Sequence, residues 1–376
     1  MLNRRTLRIK IMQSLFAYEQ CKEANYLLAL DSIDAFFKPD LNSMKIQDKE
    51  LLKGQREVAV RLFEKKFRGE PIAESPDPRI GQSLDEAFAL HTKLTKKDFA
   101  YFRKQTIIEV EKINEIYFSV LNLIPSLEQV ASQDKRINAG VFSHNPVVKA
   151  LRDNVDLRRE TLRKGGSWDH QQDLIRDWLR DCLKPDKSFK EYIALTRPSA
   201  EDHAGFVKHL VRKIILGKTP INAWLEEQDL WWAEDHEIVR SMVDKTLKSL
   251  TEQGSLELQK LSLNWEDDKN FVEKLFHSAS QLDPYFHELI ASHTRNWEVD
   301  RLPLTDRIIL HMALAEMTDF PNIPVKVTIN EYIELAKEYS TPKSRQFING
   351  ILDALSKEMV NSGRIKKSGR GLIDNK

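Results

Sequence analysis

The chain has 376 residues, a net charge of +1, 31% charged residues and 41% hydrophobic residues. That balance belongs to a globular chain and excludes a disordered or membrane-embedded one, and the near-neutral charge means that any nucleic-acid site must be local. Only 13 Gly and 14 Pro are present, which favours long helices over many short strands, and two cysteines, Cys21 and Cys182, are too few for a disulfide framework or a four-cysteine metal site.

In residues 4–19, Leu7, Ile11, Leu15 and Tyr18 recur at helical spacing, with Met12 and Phe16 widening the apolar stripe. Asn3 is the expected N-cap. Arg4, Arg5, Arg8 and Lys10 load the first turns with cations that oppose the helix dipole, an unfavourable choice of the kind that often marks a functional site. Residues 25–66 read as one or two helices broken near Pro39. Three Pro and two Gly make 67–83 the expected linker. Helical periodicity returns over 84–132, with Phe99, Phe102, Val110, Ile113 and Tyr117 on one face and Pro125 as an interruption.

The region 146–182 is highly charged and is broken by Gly165-Gly166. Two helices are expected in 200–252, around the tryptophan-rich segment AWLEEQDLWWAEDHE. Trp231-Trp232 fits either a packing pair or a partner surface. Residues 268–295 and 304–319 read as amphipathic helices, the second stopped by Pro321. Thr328 with Glu331 forms an expected capping box, and Thr341 with Pro342 at the next position is expected to open the last helix. Residues 361–376 carry five cations and one acid and read as a flexible basic tail. No apolar run approaches a membrane span. No targeting signal is read, and a cytoplasmic location is expected.

Two separated segments resemble the NusB family. RRTLRIKIMQSLFAYE at 4–19 is similar to its arginine-rich opening helix. DRIILHMALAEM at 306–317, followed by IPVKVTINEYIELAKEYSTPKSRQFINGILDAL at 323–355, is similar to its C-terminal block. Ile323, Pro324, Lys326, Val327, Ile329, Asn330 and Glu331 follow the family pattern, and so do the ELAK run from Glu334 to Lys337 and Ser344, Phe347, Asn349, Gly350, Leu352 and Asp353. Some 240 residues separate the two parts, where typical members are compact. Residues 221–250 look similar to the insertion of long, Bacteroidetes-type members.

The resemblance implies an all-α bundle with a large helical insertion: first core helix 1–24, insertion 25–260, C-terminal core 261–360 and tail 361–376. It implies a non-enzymatic factor that binds single-stranded boxA-type RNA with NusE, the tenth small-subunit ribosomal protein, in an RNA polymerase antitermination complex during ribosomal RNA transcription. No cofactor, metal, membrane or small-molecule substrate is implied.

On the matching positions, Arg4, Arg5, Arg8, Phe16, Lys343 and Phe347 would contact RNA, and Asp306 would face NusE. The residue types suit the task, because arginine planes hold phosphates or stack on bases and aromatic rings stack on bases. From sequence alone, Phe16 and Phe347 fit a core face better, and only the resemblance brings the RNA-contact reading level with it. Helix packing and capping are expected to account for Asn330, Glu331, Asn349 and Gly350.

Two other functions compete. An RNA-modifying enzyme is one, since NusB-like domains also occur joined to RNA cytosine methyltransferases. It would need a glycine-rich cofactor loop and a reactive cysteine in a loop, and neither pattern is found. The other is a protein–protein scaffold that acts mainly through the central insertion, with weak or no RNA binding.

Overall fold

The computed structural model describes residues 2–42, 44, 46–72, 77–281, 283–293 and 302–375. Its α-helices in chain order are α1 (Arg4–Phe36), α2 (Lys49–Phe67), α3 (Pro78–Gln133), α4 (Gly140–Ser143), α5 (Pro146–Asp153), α6 (Val155–Lys164), α7 (Gln172–Trp178) and α8 (Lys187–Ile193). They continue with α9 (Ala200–His209), α10 (Thr219–Gln228), α11 (Trp232–Gln253), α12 (Trp265–Ser280), α13 (Pro284–His293), α14 (Leu304–Asp319), α15 (Val325–Tyr339) and α16 (Ser344–Asn361). Single π-turns continue α7 at Leu179–Leu183 and α9 at Leu210–Ile215. No strand occurs among the described residues, so the fold is all-α as expected.

The chain divides into two compact units: Met1–Arg8 with Ile107–Asn270, and Ile9–Thr106 with Phe271–Lys376. The divisions fall inside α1, α3 and α12. Residues 25–106 and the C-terminal helices fall in one unit.

In the first unit, Tyr117 of α3 anchors two other segments. Its hydroxyl lies 2.6 Å from Thr246 Oγ1 of α11, and the backbone N–H of Gln259 donates to it at 3.0 Å. Burial pushes the Tyr117 pKa up to about 12. α6 ends at Gly165, and Gly166 comes so close to α3 that a Cβ there would stand 2.8 Å from the Ser119 nitrogen. Both glycines have positive φ, 92° and 94°. Asn122 donates to the Gly166 carbonyl at 3.0 Å, and Trp168 Nε1 donates to the Ser119 carbonyl at 2.7 Å. Trp168 packs with Trp178 and Trp224.

Pro125 does not interrupt α3, which runs 56 residues through it. Proline forfeits one backbone bond there. Burial of Leu121, Leu123, Ile124, Leu127 and Val130 around it offsets that loss.

In the second unit, α1, α2 and the start of α3 share a core of Ala29, Ile33, Phe37, Leu52, Ala59, Phe63, Ile80, Leu84 and Ala87. Tyr18 of α1 packs edge-on against Phe99 and Phe102 of α3 and lies 6.1 Å from Phe276 of α12. The opening helix thus meets the C-terminal helices, as expected.

Helix α14 is enclosed over most of its surface, with Ile308, Ile309, Leu310, Met312, Ala313, Leu314 and Met317 buried, and α15 and α16 pack on it. Its buried Glu316 accepts from Thr328 Oγ1 at 2.9 Å and Tyr332 OH at 3.1 Å.

Several local expectations change. Thr328 lies one turn inside α15 and bonds Glu316, so it caps nothing; the helix opens at Val325 behind Pro324. Thr341 and Pro342 form a turn, and α16 begins at Ser344 after Lys343. Residues 364–371 of the tail make specific contacts. The Arg364 guanidinium lies 3.7 Å from the Tyr285 ring centre, Lys367 Nζ donates to the Phe320 carbonyl, and the Ser368 N–H donates to the Pro321 carbonyl. Gly371 sits where a Cβ would collide with that same carbonyl at 2.0 Å. These cations and glycines find partners on α13 and on the loop after α14.

Candidate nucleic-acid interface

Asn3 caps α1 as expected: its Oδ1 accepts from the Thr6 N–H at 2.8 Å. No acid occupies the first turn of α1. Arg4 is partly exposed and bridges to the start of α12. Its Nη2 lies 2.5 Å from Asp267 Oδ2 and its Nε 3.3 Å from Asp268 Oδ1. Those two acids, with Glu266, suit the positive end of α12. Asp267 is well exposed, so the pair contributes only about 0.2–1 kcal/mol. Arg5 is also partly exposed.

Arg8 and Lys10 are different. They are 3% and 2% exposed, and Thr6, Leu7, Ile9, Ile11 and Met12 around them are buried as well. The helix is enclosed on every side through this stretch, so Arg8 does not present its guanidinium to solvent. Sequence reasoning placed it on an exposed face with Arg4. The contrary signal was already visible in Leu7, Ile9 and Ile11, which leave no polar face there.

Phe16 is 41% exposed and stands on the surface of α1. Lys343 is exposed at the mouth of α16, and Phe347, one turn on, is partly buried. Asp306 lies beneath this turn and is 2% exposed. It accepts from Ser340 Oγ at 2.5 Å and Ser344 Oγ at 2.6 Å. It therefore fastens α14 to the turn that carries Lys343, and does not face outward as a partner contact. Arg4, Arg5 and Arg8 belong to the first unit, and Phe16, Lys343, Phe347 and Asp306 to the second.

Asn330, Asn349 and Gly350 are exposed, and a Cβ at Gly350 would touch nothing, so packing does not account for them. Trp232 is buried and its Nε1 donates to Asn222 Oδ1 at 3.1 Å, while Trp231 is half-buried. Among the described residues no group of three or more His, Cys, Asp or Glu is placed to hold a metal ion, and no helix is long and apolar enough to cross a membrane.

The NusB family model matches residues 232–357, which begin at α11 and so start before the expected position 261. The chain is 39% identical over 139 residues to the transcription antitermination protein NusB of Chloroherpeton thalassium. It is 42% identical over 105 residues to that of Salinibacter ruber, and 41% over 103 residues to that of Koribacter versatilis. These stretches cover 37%, 28% and 27% of this chain. They span 63%, 66% and 70% of the respective relatives, under two thirds for the first two. The chain belongs to the NusB family. No solved structure matches it.

Proposed function

We propose that the protein is a non-catalytic transcription antitermination factor, working in the cytoplasm, that binds boxA-type single-stranded RNA together with NusE within an RNA polymerase complex. The observation that carries this reading is the start of α1. Arg4 and Arg5 are accessible on a helix with no acid in its first turn, in a segment that resembles the family's opening helix. Exposed Phe16 supplies a base-stacking face. Lys343 and Phe347 supply a second cation–aromatic pair one turn apart on α16. Arg8 and Asp306 support their helices and are not assigned contacts.

The test is affinity for a boxA-like RNA across a salt series, with and without purified NusE. Binding should tighten with NusE and weaken as salt rises, since displaced counterions drive phosphate contacts. Absence of binding under both conditions would refute the reading.

A further inference from the structure

The segment between α11 and α12 has an unusual hydrogen-bond pattern. The Glu257 N–H donates to Ser249 Oγ at 2.9 Å, and the Gln259 N–H donates to Tyr117 OH at 3.0 Å. Donors two residues apart turned to one side are the mark of an extended strand. The alternate residues face the other way. There the Leu256 carbonyl accepts from Asn154 Nδ2 of the α6 cap at 3.3 Å. The N–H groups of Leu258 and Lys260, further along that edge, find no acceptor among the described residues.

This edge borders a groove of about 530 Å³ in the first unit, lined by α3, α6 and residues 256–262. Phe118 and Trp265 give it apolar surface. Asn114, 93% buried, also lines it, and its Oδ1 has no partner. Four carboxylates, Glu111, Asp156, Glu160 and Glu257, line the groove and outnumber its cations. One of those cations, Arg159, is already bound to Asp156 at 2.8 Å. Such a lining disfavours a polyphosphate backbone and suits an uncharged main chain.

We propose that this groove takes an extended peptide of a protein partner as an added strand, whose carbonyls accept from the Leu258 and Lys260 N–H groups and whose alternate N–H groups donate to the carbonyls of the same edge. Asn154 already acts as the first rung of that ladder at Leu256. Edge addition of this kind draws affinity from main-chain bonds and specificity from alternate side chains. One end of the groove adjoins the start of α1, where the Leu2 N–H donates to the Leu261 carbonyl at 2.9 Å, so peptide and RNA are told apart by separate probes.

The test is selection of a random linear octapeptide library on the immobilised full chain, with the Leu258→Pro and Lys260→Pro double variant as counter-target. Proline removes the donor and tolerates extended backbone. Enriched peptides should bind the variant at least about tenfold more weakly, the loss expected from two main-chain bonds. They should also slow amide exchange at Leu258 and Lys260 in the parent chain. If the variant loses its fold, the same loss should follow N-methylation of the peptide on alternate amides. No enrichment, or enrichment indifferent to both changes, would overturn the proposal. Protection of the same amides by an oligouridine and not by peptide would also overturn it.

Discussion

Arg4 and Asp267 stand 2.5 Å apart, and a phosphate that takes this guanidinium has to replace the carboxylate. With RNA bound as proposed, the acid would compete with it for Arg4. Asp267→Asn should strengthen affinity for single-stranded RNA by about two- to fivefold, since an exposed pair is worth under about 1 kcal/mol. Fluorescence anisotropy at low salt would read the change, and weaker binding would contradict the placement of RNA at Arg4. Arg5 and Arg8 should separate in a different way. Arg5→Ala should lower RNA affinity and leave the melting temperature unchanged. Arg8→Ala empties an enclosed position whose charge is partnered inside the fold, and should cost roughly 2–4 kcal/mol of stability. Thermal denaturation of the two variants distinguishes them, and equal melting temperatures would show that Arg8 is not enclosed in solution.

Among the elements, α6 depends on how it ends. Gly165 and Gly166 turn the chain by positive φ, and the second lies against the backbone of α3 with no room for a methyl group. Gly166→Ala meets both obstacles and should destabilise the first unit by about 1–3 kcal/mol. Urea denaturation followed by tryptophan fluorescence would report it, because Trp168 is two residues away and donates to Ser119 of α3, the residue that Gly166 approaches. A variant as stable as the parent would remove the argument. Element boundaries were legible where one local signal dominated: the Asn3 cap, the break after Phe36 and the end of α14 before Pro321 all agree with the sequence. The Thr328 and Thr341 caps were not legible. Each hydroxyl has a tertiary or turn partner, Glu316 and Ser344, that no local pattern reveals.

At the scale of the whole chain, family and fold class were legible because the C-terminal block is dense in motif residues. The units were not. Leu7, Ile11 and Tyr18 announce a buried face but say nothing of which distant helix covers it. Tyr18 finds Phe99, Phe102 and Phe276. Of the expected site residues, Phe16 is exposed while Arg8 and Asp306 are enclosed, because tertiary packing and not the local pattern decides burial.

The packing of Tyr18 against Phe276 also sets a timetable for biosynthesis. The opening helix leaves the ribosome some 250 residues before its partner in α12 has been translated. At roughly 5–20 residues per second, it waits on the order of tens of seconds with an apolar face uncovered. Residues 107–270 emerge in that interval and have most of their unit's partners in hand, so the first unit is free to condense while the second is still incomplete. Arg4 meets Asp267 and Asp268 once the first unit has been translated, whereas the stretch from Ile9 onward waits for the C-terminal helices of its own unit.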